Sequence, residues 1–447
     1  MKASLIIPTY NRAGLLQKTL NSVLSQKYCS SDFEVIIIDD GSTDNTAKIV
    51  KTFNDSLNIK YYRVNHYGSQ VSKLRNIGIE MANGEIIIFV DSGLILKDDY
   101  IQEHLLYHQK SKYEIALIGK TYCLHSSLND DYIVELLSNI NKETFFVLQE
   151  KENYQDIRIP ALKYFNNDLC NSDCPWFYFV TANASVKRKS LLKVGLFDEN
   201  FKSWGIEDLE LGYRLHVAKI KFVFGSKAIS IHHPHERNLI TNKKSEENNA
   251  SYFLAKHNDV NIEFFTIKRE LYFPIIFSKF KEKLKKRDLY KKKKELFEFV
   301  SQKFNPRNKQ LLLCGASNKS MLKWLDCKYA IEAEEFFFEK LKSCNLSYHI
   351  LNQIGFKLHF ENKKFHLTVL TDIYLFLATS WFIEVLKEII RISKNTIFII
   401  PQNEIDYCTI IKKRLLLITK YTYSKYEIET YRQNNLNCDK LFHIKWS

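Results

Sequence analysis

Continuous apolar runs separated by segments of helical period dominate the first hundred positions. Residues 4–7, 34–39, 59–63 and 85–90 read as strands, and 13–25, 43–53 and 69–81 as helices. Strands apolar on both faces, each followed by a helix, predict an α/β fold with a parallel sheet covered on both sides. Ligands of such sheets sit beyond the carboxyl ends of the strands. The polar clusters fall there: Pro8-Thr9-Tyr10-Asn11-Arg12 after the first strand, Asp39-Asp40-Gly41-Ser42 after the second and Asp91-Ser92-Gly93 after the fourth. Each alone is a turn or a helix cap. Three along one sheet edge form the floor of a polar pocket.

Apolar runs at 221–224 and 228–231 extend this first region, which is assigned to residues 1–240. A polar stretch from Asn238 to Asn249 and a basic, aromatic, helical stretch follow, and 241–305 reads as a connector. From Gln310 a second alternation begins, with strand-like runs at 311–317, 329–332, 365–372 and 397–401, so 306–447 is assigned to a smaller Rossmann-like α/β domain. A length of 447 residues agrees with several domains.

Composition narrows the partners. Much of the formal charge of +14 lies in the stretch from Lys279 to Lys294. Such a run attracts polyanions, but a solvated helix face or linker is the commoner cause. No nucleic-acid partner is expected, and peripheral membrane contact through Lys279–Lys294 is the alternative use of the charge. The first apolar run is too short for a signal peptide, and 367–386 carries Asp372 and Glu384, costly in a bilayer. The expectation is a cytoplasmic protein without a transmembrane segment. Nine scattered cysteines agree with reduced thiols. Nothing here indicates the oligomeric state.

Trp204-Gly205-Ile206-Glu207-Asp208 places two carboxylates in front of a helix-like segment. Asp and Glu in a first helical turn meet free N–H groups and the positive end of the dipole. They also suit a general base beside a substrate hydroxyl, where burial raises the carboxyl pKa toward the working pH.

Ile6-Ile7-Pro8-Thr9-Tyr10-Asn11-Arg12, Val35 to Asp44, Arg75-Asn76-Ile77-Gly78 and Gly84 to Asp91 resemble the family 2 glycosyltransferases of GT-A fold. Trp204 to Asp208, preceded by Thr181-Ala182-Asn183-Ala184-Ser185-Val186 and Gly195-Leu196-Phe197-Asp198-Glu199, is similar to the acceptor half of chondroitin-polymerase-like and galactosyltransferase-like members. The resemblance covers residues 1 to 240. It implies that Pro8, Thr9, Tyr10, Asn11, Arg12, Asp39, Asp40, Arg75, Asp91 and Ser92 bind a UDP-sugar, with Arg75 at the base or diphosphate. Lys73 is a weaker candidate. Trp204, Gly205 and Glu207 are expected to hold the acceptor, and Asp208 to remove its proton. Asp91 occupies the family's metal-binding Asp-X-Asp position, but the second acid has become Gly93. His232 is the expected replacement ligand, with His233 and His235 in reserve, and His favours Mn²⁺ over Mg²⁺.

The resemblance thus implies an inverting transferase acting on a glycan, peptide or small-molecule acceptor. A non-catalytic sugar-nucleotide or carbohydrate-binding protein on the same scaffold is the alternative. The C-terminal part weakly resembles class I methyltransferases, with Glu332 where an acid would meet a ribose. Only Gly315 remains of a glycine-rich cofactor turn, so a degenerate domain is expected.

Overall fold

The computed structural model describes residues 1–447 except 69, 125–129, 139, 237–238, 268, 286–293, 305–309, 344–347, 372, 375–376, 378, 401–425, 432–439 and 447. Ser69, Asn238, Asp372, Pro401 and the middle of the Lys279–Lys294 run therefore lie outside the described residues. The chain divides into two compact units, Met1–Phe253 and Leu254–Ser447.

The first unit is built on an eight-stranded sheet. Its strands are β1 (Ala3–Thr9), β2 (Phe33–Asp39), β3 (Ile59–Arg63), β4 (Ile86–Val90), β5 (Leu94–Leu96), β6 (Ile115–Tyr122), β7 (Asn183–Lys187) and β8 (Lys221–His232), in the order β3-β2-β1-β4-β7-β6-β8-β5. The first four in that order are parallel, as the sequence leads one to expect. The other half is not: β7 runs antiparallel to both β4 and β6, and β5 runs antiparallel to β8. The two apolar runs at 221–224 and 228–231 are one strand, whose pairing with β6 slips once between Gly119 and Lys120.

The helices are α1 (Ala13–Leu24), α2 (Thr46–Lys51), α3 (Val71–Met81), α4 (Tyr100–Lys110), α5 (Asp131–Leu136), α6 (Lys142–Glu150), α7 (Ile159–Tyr164), α8 (Arg188–Val194), α9 (Glu207–Val217) and α10 (Leu239–His257). Strand alternation sends Ala3, Leu5 and Ile7 of β1 into one core with Leu16, Leu20 and Val23 of α1. Ile6, pointing the other way, is fully buried as well. Burying both faces makes β1 a rigid rod with its polar groups at the far end. The parallel register sets Thr9 level with Asp39, and Thr9 Oγ1 donates to Ser92 Oγ at 3.4 Å.

The second unit contains α11 (Val260–Ile267), α12 (Phe273–Lys285), α13 (Lys294–Phe304), α14 (Lys319–Trp324), α15 (Glu335–Lys342) and α16 (Thr379–Ile392). Its strands are β9 (Leu311–Cys314), β10 (Tyr329–Ile331), β11 (His349–Leu351), β12 (Phe365–Leu370), β13 (Ser393–Ile400), β14 (Tyr426–Tyr431) and β15 (Lys440–Trp446). Their order is β11-β10-β9-β12-β13-β15-β14, parallel as far as β13 with β15 reversed. Gly315 follows β9 at φ 84°, where a Cβ would overlap Thr371 Oγ1. That hydroxyl donates to the carbonyls of Cys314 and Gly315. Close packing inside the turn is thus sufficient reason for this glycine. Glu332, at the end of β10, is buried and accepts from the Glu334 amide at 2.8 Å.

Candidate functional site

The site lies where β1, β2 and β4 end. Asp39 is fully buried; its Oδ1 accepts from the Ser42 amide at 2.8 Å and its Oδ2 from the Tyr61 hydroxyl. Burial, with the Asp39 carboxylate behind it, holds the Tyr61 hydroxyl well above its ordinary pKa, so it remains a donor. Asp40 receives His66 Nδ1 at 2.9 Å and Gln70 Nε2 at 3.2 Å. Burial raises the Asp40 carboxyl, and the His66 hydrogen bond pulls against that rise. Tyr10 lies flat on the His66 ring, with centroids 4.1 Å apart and planes 4° from parallel. Asn11 sits at φ 48°, which asparagine tolerates, and fastens the first loop to the second. Its amide donates to Ser42 Oγ at 2.8 Å, and its Oδ1 accepts from the Thr43 amide at 2.7 Å. Pro8 and Thr9 close β1, and Arg12 precedes α1. Exposed Lys73 stays on the outer face of α3.

Arg75 joins the two halves of the sequence pattern. It projects from α3, is buried, and donates through Nη1 to Glu207 Oε1 at 2.9 Å and through Nη2 to Asp91 Oδ1 at 3.3 Å. Its plane lies near Phe197, 5.4 Å from the ring centroid. Burial alone would lower the guanidinium pKa, but Asp91, Glu207 and Asp208 together raise it. Two buried atoms in this cluster, Arg75 Nε and Glu207 Oε2, have no hydrogen-bond partner among the described residues. Polar atoms left this way are costly and mark places where a ligand can supply the missing bond.

Glu207 and Asp208 are the first residues of α9. The N-cap is Ile206, which makes no side-chain cap and has φ 76°. Asp208 does touch the helix end, its Oδ1 accepting from the Leu209 amide at 2.8 Å, while Oδ2 accepts from Thr181 N at 3.3 Å, just before β7. It keeps some solvent access, yet burial of the carboxyl and the neighbouring Glu207 push it up to about 7, against the pull of Arg75. Trp204 is 50% exposed and so is free to present its ring to solvent.

The metal candidates converge on the same sheet end. Leu94 pairs with His232 across β5 and β8, and the His233 amide donates to Gly93 O at 3.1 Å. His232 is buried and its ring lies 5.2 Å from that of His235. His233 turns elsewhere, with Nε2 3.1 Å from Lys18 Nζ and its pKa lowered by burial. Among the described residues no group of three or more His, Cys, Asp or Glu side chains gathers closely enough to hold a metal. Gly93 has φ 106°, a conformation that a side chain disfavours, so the missing acid cannot simply be put back. Gly93→Asp is expected to cost on the order of 1–3 kcal/mol of backbone strain and to leave metal response unimproved. Melting curves with and without Mn²⁺ check this; a gain in Mn²⁺ stabilisation would contradict it.

The sequence does not point to Tyr61, His66 or Gln70, and it gives Thr181 only as the first residue of a motif, without a role. His66 and Gln70 lie near the second acidic motif in space alone, and no spacing rule links them to Asp40.

The sequence model described as "Glycosyl transferase family 2" matches residues 4–171. Validoxylamine A glucosyltransferase of Streptomyces hygroscopicus subsp. jinggangensis is 34% identical over 271 residues, covering 59% of this chain and 62% of that protein. Chondroitin synthase of Pasteurella multocida is 35% identical over 221 residues, covering 47% of this chain and 22% of that protein. The chain thus spans less than two thirds of the length of these relatives. The structure of Staphylococcus aureus TarS 1-349 in complex with UDP-GlcNAc aligns with TM-score 0.44 at 20% identity, covering 60% of this chain and 72% of that one. Among the described residues no helix is long and apolar enough to cross a membrane.

Proposed function

We propose that this chain is a family 2 glycosyltransferase of GT-A fold, as the family match over residues 4–171 supports, and that its N-terminal unit moves a sugar from a UDP-sugar to a glycan, peptide or small-molecule acceptor, with inversion at the anomeric carbon. The arrangement that carries this reading is the Asp208 carboxyl at the start of α9 beside the buried Arg75–Glu207 pair, with burial and the neighbouring Glu207 pushing its pKa up to about 7. A base with that pKa is half-ionised near neutrality and accepts a hydroxyl proton with little penalty.

The acidic corners and the Tyr10 ring receive the nucleoside. Asp39 and Asp40 are acceptors suited to an imide N–H or ribose hydroxyls. Arg75 offsets the negative charge of Asp91, which would otherwise repel the leaving diphosphate. Asp208 takes the acceptor proton as the new C–O bond forms on one face of the anomeric carbon and the bond to UDP breaks on the other. Glu207 orients the acceptor, and Trp204 offers an apolar platform to a sugar ring.

The donor set here suits a divalent cation only in part. Asp91 has one oxygen engaged by Arg75, and His232 supplies a nitrogen, so these two residues would hold the cation together with diphosphate oxygens and water. Such a cation neutralises charge on the leaving group.

The test is a screen of UDP and UDP-sugars by thermal melting, with Mn²⁺ and with EDTA, followed by an assay for UDP release. A ligand at a hundred times its Kd is expected to stabilise by about 2.7 kcal/mol, and EDTA to reduce that gain. Melting indifferent to every UDP compound would refute the donor assignment. Binding without UDP release for any acceptor would instead favour a carbohydrate-binding role.

A further inference from the structure

The polar stretch that reads as a connector forms the first half of α10, and one of its residues reaches the acceptor loop. Asn249 is 6% exposed. Its Nδ2 lies 3.1 Å from Ser203 O, 3.3 Å from Trp204 O and 2.7 Å from Gly205 O, and its Oδ1 accepts from Ser203 Oγ at 3.2 Å. One side-chain amide thus gathers three successive carbonyls.

Those carbonyls belong to a turn that needs holding. Gly205 has φ 94° and the next residue, Ile206, has φ 76°. A β-branched side chain in the left-handed region costs on the order of 1–2 kcal/mol. The Ile206 carbonyl then accepts the first bond of α9 from Glu210, so the turn fixes where that helix begins and where Glu207 and Asp208 project.

We propose that Asn249 is a positioning residue for glycosyl transfer: its amide locks the 203–206 turn so that Trp204, Glu207 and Asp208 face the acceptor together. This rests on the glycosyl-transfer reading above. Asn249 touches no reacting group, and the donor corners at Asp39, Asp40 and Asp91 lie on other elements. Its loss therefore separates acceptor from donor. Misplacing a reacting group by about 1 Å costs on the order of 10²-fold in rate.

Asn249→Asp is nearly isosteric but replaces the donating nitrogen with an oxygen facing three carbonyls. In the full-length chain its transfer kcat is expected to fall about 100-fold and its acceptor KM to rise, with UDP affinity in Mn²⁺ staying within about twofold of wild type. Backbone amides of 203–206 are expected to exchange hydrogen faster. Ser203→Ala, which spares the donor, is expected to transfer at close to the wild-type rate. Asn249→Ala serves as the second variant should the added carboxylate prevent folding, with the same expected separation. Transfer unchanged in the Asn249 variants, or UDP affinity lost in step with transfer, overturns the assignment. A wild-type chain that binds no UDP overturns the glycosyl-transfer reading itself, an outcome distinct from either of these.

Discussion

Asp208→Asn is expected to lower sugar transfer about 10³-fold, the scale of a lost general base, while UDP binds as before. The amide keeps the shape of the carboxyl and can still accept from the Leu209 amide through its oxygen, but its nitrogen cannot accept from the Thr181 amide and the side chain cannot take a proton. In the wild-type chain kcat/KM should fall tenfold per pH unit below about 7, as Asp208 becomes protonated. The same carboxyl acts on stability with the opposite sense. Its folded pKa of about 7 lies above the ordinary carboxylate value, so ionisation is disfavoured in the folded state. The contribution is intact below the unfolded pKa and is lost as pH rises toward 7. Asp208→Asn should therefore melt above wild type at pH 8, and its lead should fade between pH 7 and 4. Transfer at the wild-type rate by this variant would remove Asp208 from the mechanism; an unchanged melting difference across that range would contradict the raised pKa.

Arg75→Ala is expected to produce the largest loss of stability. Its guanidinium serves two carboxylates, Glu207 and Asp91, and faces a third in Asp208. Removing one partner of a buried ion pair costs about 3–5 kcal/mol, which for a unit of this size lowers Tm on the order of 10 °C. Asp208 would also lose the charge that holds its pKa down, so any residual activity should move to higher pH. Arg75→Lys should recover only part of this, because a single ammonium cannot donate along the same two directions. In Arg75→Ala/Glu207→Gln the most buried of the uncompensated charges is gone, and Tm should rise part of the way back relative to Arg75→Ala. An Arg75→Ala chain melting with wild type would mean that the carboxylates are satisfied by solvent.

The order of motifs was legible because each sits directly after a strand, where the local pattern of apolar run and polar turn is unambiguous. Asp39, Asp40 and Asp91 reach one sheet end for that reason. The parallel half of the sheet was legible too, since β1, β2 and β4 are apolar at nearly every position. The antiparallel half was not: β7 reads Asn183-Ala184-Ser185-Val186-Lys187, and its polar members are buried by pairing with His104 and His108, whose rings face Ser185 from α4. Such satisfaction is invisible along the chain. Partners that depend on long closures were missed for the same reason. His66 meets Asp40 across 26 positions, and Asn249 meets Gly205 across 44. A short polar stretch between helical patterns looks like a linker until the turn it serves is seen. In the second unit, the poverty of glycine after β9 has a local counterpart in Thr371, which fills the space beside Gly315.

The stacking of Tyr10 on His66 limits how a flat ring can enter. One face of the tyrosine is already covered, so a base has only the opposite, solvent side on which to lie, or must take the imidazole's place and break its bond to Asp40. Entry on the open side leaves the floor undisturbed and makes a three-layer stack; entry by replacement uncovers an acid that ring hydrogens can then reach. The two routes admit different bases, because only the second brings the hydrogen-bonding edge of the ring against a carboxylate.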